Sequence, residues 1–275
     1  MTDAPPIGRF AVHTQTNRPW PLERCCAAYA SAGFGGLSVW RHAVAPHGAE
    51  GARRIIGDHG LTVPALVRAG FFVSASAATR AAARDENLRA LEEAAAIDAG
   101  MIVLVVGAEP GVPLDAARGQ VEDGLAALLE PADAAGVDLA IEPLHPMYAA
   151  DKSCINRTRD ARELCERLAH RRLGVALDVY HTWWDPELPD EVGRLGAAGL
   201  LRAFHVCDWL AETKDLLTDR GLMGEGCIDV RGVRRLVERA GFRGPIEVEV
   251  FSERHWARDQ DEYVRDIASA CLEHC

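Results

Sequence analysis

The chain alternates short apolar runs with longer amphipathic segments eight times, and this alternation restricts the available folds more than any other feature. The apolar runs predict strands at residues 9–15, 35–41, 62–68, 101–107, 137–143, 174–180, 203–208 and 246–252. The intervening segments, such as 79–100 and 230–242, carry apolar residues three and four positions apart and predict helices. Glycines just before several strands are typical of helix C-caps: Gly33, Gly60, Gly100, Gly136 and Gly241.

Repeated strand and helix units predict a parallel sheet covered by helices. Eight such units in 275 residues, without a proline-rich linker or a change in composition, favour a closed (β/α)8 TIM barrel of the α/β class, as a single domain over residues 1–275. An open, doubly wound sheet is the alternative fold. The segment after the first strand, HTQTNRPWPLE, argues against it, because the glycines of a dinucleotide-binding turn are missing.

The composition indicates which partners and which cellular location to expect. A net charge of −11 argues against a general nucleic-acid or anionic-membrane surface, which would need a basic face. The eight cysteines include no CxxC pair and are interpreted as reduced thiols. The first ten residues show no signal pattern, and no apolar run approaches the roughly 18 residues of a membrane helix. These features predict a cytoplasmic location.

Polar side chains stand at the C-terminal ends of the last four predicted strands, where a barrel of this kind builds its active site. They are Glu142, Asp178, His205 and Glu249. Three of them follow a small residue two positions earlier, on the same face of the strand: Ala140, Ala176 and Ala203. On the last strand, Glu247 and Glu249 share a face, which places Glu249 at the rim and Glu247 one layer beneath.

Three carboxylates and an imidazole in a barrel mouth would repel one another and lose hydration unless a cation lay among them. One bound divalent metal ion removes this difficulty. A histidine with carboxylate oxygens suits Mn²⁺, Zn²⁺, Co²⁺ or Mg²⁺ rather than a thiolate site. A single strand-end aspartate is more commonly a helix cap or an ion-pair partner. Four such residues on consecutive strands favour a metal site.

Five motifs in the second half of the chain, IEPLHP, LDVYH, FHVCDW, DRGLMGEGCID and VEVFS, make it resemble the xylose-isomerase-like superfamily of TIM barrels. This superfamily includes sugar isomerases, ketose 3-epimerases, inosose dehydratases and the endonuclease IV branch. The resemblance implies the same four metal ligands that the strand pattern selects. It also implies that His181 and Arg220 contact substrate oxygens. The alternatives are that His181 orients Asp178 and that Arg220 lies on the surface.

Two acidic residues near the seventh strand are interpreted as structural. Glu225 lies in GLMGEGCID, whose glycines let the backbone turn tightly before the next helix. Asp208 follows His205 by three residues and is expected to accept a hydrogen bond from this loop.

The early strands distinguish the chain from the endonuclease IV branch, whose three-metal cluster uses extra histidines there. ALVRAGFF and LVVGAEP contain none, and together with the acidic net charge this argues against DNA repair. Trp40, Arg68 and Phe71 indicate instead an aromatic and cationic lining for a small polar ligand, although core packing explains Phe71 equally well. The lack of a cluster of lysines and arginines favours an unphosphorylated substrate.

By resemblance to the epimerase branch, Glu142 and Glu249 act as acid and base as well as metal ligands. We therefore expect a metal-dependent sugar or keto-polyol isomerase or epimerase that removes a proton next to a carbonyl through a metal-stabilised enediolate. The alternatives are a lyase or dehydratase that expels a β-oxygen substituent, as inosose dehydratases do, and a sugar-binding barrel without turnover. Analogy with the superfamily implies a homodimer, with neither nucleic acid nor membrane as partner.

Overall fold

Eight parallel strands close into a barrel in the computed structural model, which describes residues 4–275, so the first three residues of the predicted domain lie outside the described part. The strands are β1 (Phe10–His13), β2 (Gly36–Trp40), β3 (Ala65–Gly70), β4 (Met101–Val105), β5 (Asp138–Ile141), β6 (Leu173–Asp178), β7 (Leu201–Val206) and β8 (Ile246–Val248). Each strand pairs with the next along the chain. Strand β8 pairs with β1, with Glu247 opposite Ala11, and this pairing excludes the open sheet.

Helices surround the barrel, as the amphipathic segments predict. The longer ones are α1 (Leu22–Ala32), α2 (Gly48–Asp58), α3 (Ala77–Ala96), α4 (Leu114–Ala135), α5 (Thr158–Leu168), α6 (Leu188–Ala197), α7 (Val230–Arg239) and α8 (Gln260–His274). Single helical turns are found at Arg41–Val44, Val179–Thr182 and Glu253–Trp256, and 3₁₀ turns at Ile7–Arg9 and Pro146–Tyr148. Asp208–Trp209 and Arg220–Gly221 form a short antiparallel pair. Within residues 4–275, no helix has both the length and the apolar character to cross a membrane.

Four of the five glycines predicted to cap helices adopt the left-handed backbone conformation: Gly33, Gly60, Gly136 and Gly241. The prediction is wrong for Gly100. Helix α3 ends at Ala96, and the chain reverses at Asp98, with φ of 57°, a conformation that aspartate tolerates better than most residues. The amide of Gly100 donates to the carbonyl of Val63 at 3.1 Å, so this glycine already belongs to the approach to β4.

All eight strands differ from their predicted bounds at one or both ends, and the differences at three of them affect the site. Strands β5 and β8 end one residue before Glu142 and Glu249, but the amides of these two residues still donate to the carbonyls of Leu104 (3.1 Å) and Val206 (3.0 Å). The backbone therefore holds both glutamates at the barrel rim. Strand β3 begins three residues later than predicted, directly after Pro64, because proline has no amide hydrogen for the strand ladder.

Small side chains fill the barrel interior below the rim. They are Ala65, Val67, Val103, Ala140, Ala176 and Ala203, and all are buried. Larger apolar side chains on the opposite strand faces pack against the helices. Since side chains alternate along a strand, the residue two positions after an interior alanine also faces inward. The predicted order of a small residue below a polar one is therefore confirmed on β5, β6 and β7.

Candidate metal centre and active site

The four predicted ligand residues meet at the C-terminal mouth of the barrel. Their ligand atoms, one each from Glu142, Asp178, His205 and Glu249, lie within 4.8 Å of one another, and all four side chains are buried. The Nδ1 atom of His205 lies 3.1 Å from Oε1 of Glu142. Each residue is supplied by a different strand end, from β5 to β8, so neighbouring strands of the barrel bring the ligand set together.

Asp178 has two functions, which its two oxygens divide. Its Oδ1 accepts a hydrogen bond of 2.8 Å from the amide of Tyr180 and so caps the single helical turn that follows β6. Its Oδ2 faces the cluster and accepts a hydrogen bond from Arg220. The helix-cap interpretation and the ligand interpretation of this residue are therefore compatible.

Arg220 is buried in the site and does not lie on the protein surface. Its Nη1 donates to Asp178 Oδ2 at 3.1 Å and to Glu249 Oε2 at 3.0 Å. The guanidinium carbon lies 4.4 Å from the ring centroid of Tyr180 and 4.5 Å from that of Phe251, so two aromatic rings hold it in place. Arg220 thus fixes the orientation of two carboxylates.

His181 lies next to the cluster and lines the cavity above it. Its Nε2 is 3.6 Å from Asp178 Oδ2 and 3.5 Å from Arg220 Nη2. Burial, together with the positive charge of Arg220, holds the pKa of His181 well below its usual range, so the imidazole is neutral at pH 7. This position is compatible with both predicted roles, a substrate contact and a residue that orients Asp178.

A second polar layer beneath the cluster contains a residue that the sequence analysis missed. His13, at the end of β1, places Nδ1 3.0 Å from Glu249 Oε1 and Nε2 3.4 Å from Glu247 Oε2. Glu247 also accepts a hydrogen bond from Ser38. A signal for His13 was present, because Ala11 precedes it by two residues, as an alanine does at the three other strand ends.

The charges and donor atoms of this site fit a divalent cation. Glu142, Asp178 and Glu249 carry three negative charges when ionised, and Arg220 offsets one, which leaves the charge that one divalent ion neutralises. Burial raises the pKa of Asp178 to about 7 even though Arg220 acts in the opposite direction. Burial lowers the pKa of His205, but its hydrogen bond with Glu142 and the surrounding carboxylates raise it to about 10. A metal ion would replace these protons.

The affinity for metal is expected to increase with pH, because protons compete for the ligand atoms. Below pH 7 both Asp178 and His205 must lose a proton on binding, so the dissociation constant should fall about 100-fold per pH unit. Above pH 7 only His205 must do so, and the change should be about tenfold per unit. Titration with Mn²⁺ against a competing chelator, corrected for the chelator's own protonation, measures both slopes. A pH-independent affinity would contradict this assignment of protons.

A small cavity lies above the cluster, and residues of β2 and β3 form part of its lining. Trp40 and Arg68 line it, as predicted, and so does Lys152, which the sequence analysis did not select. Phe71 does not line the cavity and is not a core residue, since 42% of its surface is exposed; its ring lies against the guanidinium of Arg68. Leu217 covers another side of the cavity.

The hydroxyls of Tyr148 and Tyr180 hold the segment that carries Leu217. They donate hydrogen bonds of 2.8 and 2.9 Å to the carbonyl oxygen of Leu216. This segment, between the two short antiparallel strands, therefore lies over the mouth of the barrel.

The two acidic residues interpreted as structural organise the loop before α7. Asp208 Oδ2 accepts hydrogen bonds from the amides of Gly224 (3.0 Å) and Gly226 (2.9 Å), and its Oδ1 accepts one from Ile228 (2.9 Å). Glu225 accepts from the amide of Leu222 and pairs with Arg254 and His255. Neither carboxylate belongs to the four-residue cluster.

Replacing Asp208 by alanine is expected to lower the free energy of unfolding by about 3 kcal/mol or more, because four backbone amides, that of Trp209 included, lose their acceptor. Denaturant titration measures the change. Asp215 is a matched control, since it accepts bonds from the amides of Leu217 and Thr218 in an exposed loop. Asp215→Ala should cost less than about 1 kcal/mol. Equal losses for the two variants would show that the Asp208 bonds are no more important than surface contacts.

The (β/α)8 barrel and the cluster at its C-terminal mouth agree with the family that sequence comparison identifies. The family model described as xylose isomerase-like TIM barrel matches residues 26–271, and the chain belongs to this family. A solved structure, protein SMc04130 from Sinorhizobium meliloti 1021, is 43% identical, with 98% of this chain and 99% of that chain covered and a TM-score of 0.95.

Two further solved structures share the fold at low sequence identity. The IOLI protein with a binding zinc atom is 16% identical, with 96% of each chain covered and a TM-score of 0.85. The 3-keto-D-glucoside 4-epimerase YcjR from E. coli is 20% identical, with 97% of this chain and 99% of that chain covered and a TM-score of 0.79. No curated protein matches the sequence.

Proposed function

We propose that this protein is a divalent-metal-dependent isomerase or epimerase that transfers a proton at the carbon next to the carbonyl of a sugar or keto-polyol. The observation that carries the proposal is the convergence of Glu142, Asp178, His205 and Glu249 beside a cavity that both glutamates line. The zinc atom of the IOLI structure and the epimerase activity named for YcjR support it. These four residues would hold the ion.

A bound divalent ion supplies a Lewis acid, which polarises the carbonyl and acidifies the neighbouring C–H bond. Glu249 would take that proton. Burial would raise the pKa of Glu249, but His13 and Arg220 hold it well below its usual range, so the carboxylate stays ionised. Hydrogen bonds from both of these residues also fix its orientation, which a positioned base requires.

Glu142 provides a second carboxylate on the same cavity, hydrogen-bonded to His205. After Glu249 removes the proton, Glu142 would take up a proton from solvent and deliver it from another direction, which gives the epimer at the same carbon or the isomer at the neighbouring carbon, and Glu249 would release the removed proton to solvent. Trp40, Leu144 and Phe251 form apolar walls around the two glutamates. These walls limit the access of water to the enediolate before it is reprotonated.

A dehydratase is the second candidate, and His181 is the residue that favours it. Its neutral ring lines the cavity, and its buried Nδ1 has no hydrogen-bond partner among the described residues. A neutral imidazole donates a hydrogen bond through N–H, so His181 would orient and polarise a departing β-hydroxyl, which would leave as water with the proton that Glu249 removed. Both candidate reactions would begin with proton removal by Glu249, and in the dehydratase this step would be followed by loss of water.

Solvent isotope exchange tests the proposal and separates the two candidates. Metal-loaded protein is incubated in D₂O with a panel of ketoses and keto-inositols, and NMR follows deuterium at the carbon next to the carbonyl. An isomerase or epimerase incorporates deuterium and forms an isomeric sugar of unchanged formula, whereas a dehydratase yields a product lighter by one water. Chelator-stripped protein is the control. Metal-bound protein that exchanges no carbon-bound hydrogen in any member of the panel would overturn the proposal.

A further inference from the structure

The cavity above the cluster presents two cations that form no ion pair with the described residues. Arg68 lies on β3, and Lys152 lies in the segment between β5 and α5. Within residues 4–275, neither side chain takes part in an ion pair or a hydrogen bond, and both meet aromatic rings instead. The guanidinium carbon of Arg68 is 4.9 Å from the ring centroid of Phe71 and 5.7 Å from that of Trp40, and Lys152 Nζ is 4.0 Å from that of Tyr148.

Arg220, the third cation that lines the cavity, differs from Arg68 and Lys152 because its charge is paired. It makes ion pairs with Asp178 and Glu249 and is thereby committed to the cluster. In the metal-free protein the charges of Glu142 and Glu249 act on Arg68, but a cluster that holds a divalent ion and Arg220 is electrically neutral and would no longer compensate Arg68. Asp151 and Asp215 act on Lys152 only at a distance, without an ion pair. Partly buried cations without a partner are costly unless a ligand supplies the opposite charge.

Arg68 lies across the barrel mouth from one member of the cluster. In the strand order of the barrel, β3 lies opposite β7, which carries His205. A ligand that reaches from the cluster to Arg68 therefore spans the mouth, with one end at Glu142 and Glu249, the other end at Arg68, and Lys152 lining the same cavity. This arrangement fits a linear molecule with a carbonyl near one end and an anionic group at the other.

We propose that the substrate carries a carboxylate, which Arg68 and Lys152 bind across the cavity from the metal cluster. This inference rests on the proposed function, because it names the substrate class of the same site. A guanidinium presents two parallel N–H donors that match the two oxygens of a carboxylate. A phosphate is the weaker fit. Phosphate sites commonly use glycine-rich backbone and helix N-termini, and among the described residues no glycine and no N-terminus of a longer helix lines this cavity.

Three ligands with the same carbon skeleton test the proposal by isothermal titration calorimetry on Mn²⁺-loaded protein. D-Fructose is neutral, D-fructuronate has a carboxylate at carbon 6 of fructose, and D-fructose 6-phosphate has a phosphate there. We expect D-fructuronate to bind about 10- to 100-fold more tightly than the other two. Arg68→Met should remove most of this preference, and Lys152→Met a smaller part, while both variants keep the Mn²⁺ affinity and the thermal transition of the wild type.

Lys214→Met is the matched control, since Lys214 is the only other lysine of the chain and lies exposed outside the cavity. It should leave all three affinities unchanged. Equal binding of fructose and fructuronate overturns the proposal, as does tighter binding of the phosphate, failure of all three to bind, or an equal effect of Arg68→Met on fructose and fructuronate. The proposed function fails differently, through the loss of deuterium exchange with every substrate. Exchange that is equally fast with fructose and fructuronate contradicts the carboxylate site alone.

Discussion

Deuterium exchange at the substrate carbon is expected to fall about 1,000- to 10,000-fold when Glu249 is replaced by glutamine. The amide has nearly the shape of the carboxylate, and its oxygen can still accept the hydrogen bond from Arg220. It cannot take a proton from carbon at neutral pH. NMR exchange rates, measured at metal concentrations that saturate both proteins, isolate this effect from any loss of metal affinity.

Glu253→Gln is the matched control for this variant. Glu253 lies four residues along the chain, at the same end of the barrel, with 69% of its side chain exposed and only a 3.8 Å ion pair with Arg18. Its exchange rate should stay within about twofold of the wild type. If metal-saturated Glu249→Gln protein kept more than a tenth of the wild-type rate, another group would have to be the base.

Asp178→Asn is expected to weaken Mn²⁺ binding by at least about 100-fold, since it removes one anionic ligand and one charge from a buried site. The fold should persist, because the asparagine oxygen can still accept the capping hydrogen bond from the amide of Tyr180. Calorimetric titration with Mn²⁺ measures the affinity, and thermal unfolding of the metal-free protein measures the stability.

Asp185→Asn controls for the loss of a buried charge outside the cluster. Asp185 is also buried, and its Oδ1 accepts a hydrogen bond from the amide of Glu187 at 3.0 Å. Metal affinity should not change in this variant. If the two variants bound Mn²⁺ equally well, Asp178 would not be a ligand.

The barrel and its polar mouth could be predicted because both leave local patterns in the sequence. Alternation of strand and helix gives the fold, and the spacing of an interior alanine and a polar residue, as in Ala176 and Asp178, gives the inward direction. The same spacing exists for Ala11 and His13. This pair lies outside the second half of the chain, where the motifs that resemble the superfamily are concentrated.

The remaining features depend on contacts that no local pattern records. Lys152 lies in a segment without periodicity, and only the folded chain brings it to the cavity that Arg68 lines. The ion pairs of Arg220 require the short antiparallel pair that turns this residue inward. The chain reverses at Asp98 and not at the predicted Gly100, because aspartate can also adopt the left-handed conformation. A prediction based on glycine positions alone does not identify this residue.

The separate origin of the four donor atoms has an evolutionary consequence. Each of β5 to β8 contributes one donor at or next to its C-terminal end, whereas Lys152 belongs to a connecting loop. Insertions and substitutions in such loops can therefore alter which molecules are accepted without displacing the donors. The substrate preference of such a barrel can therefore change while the four-residue ligand cluster is kept.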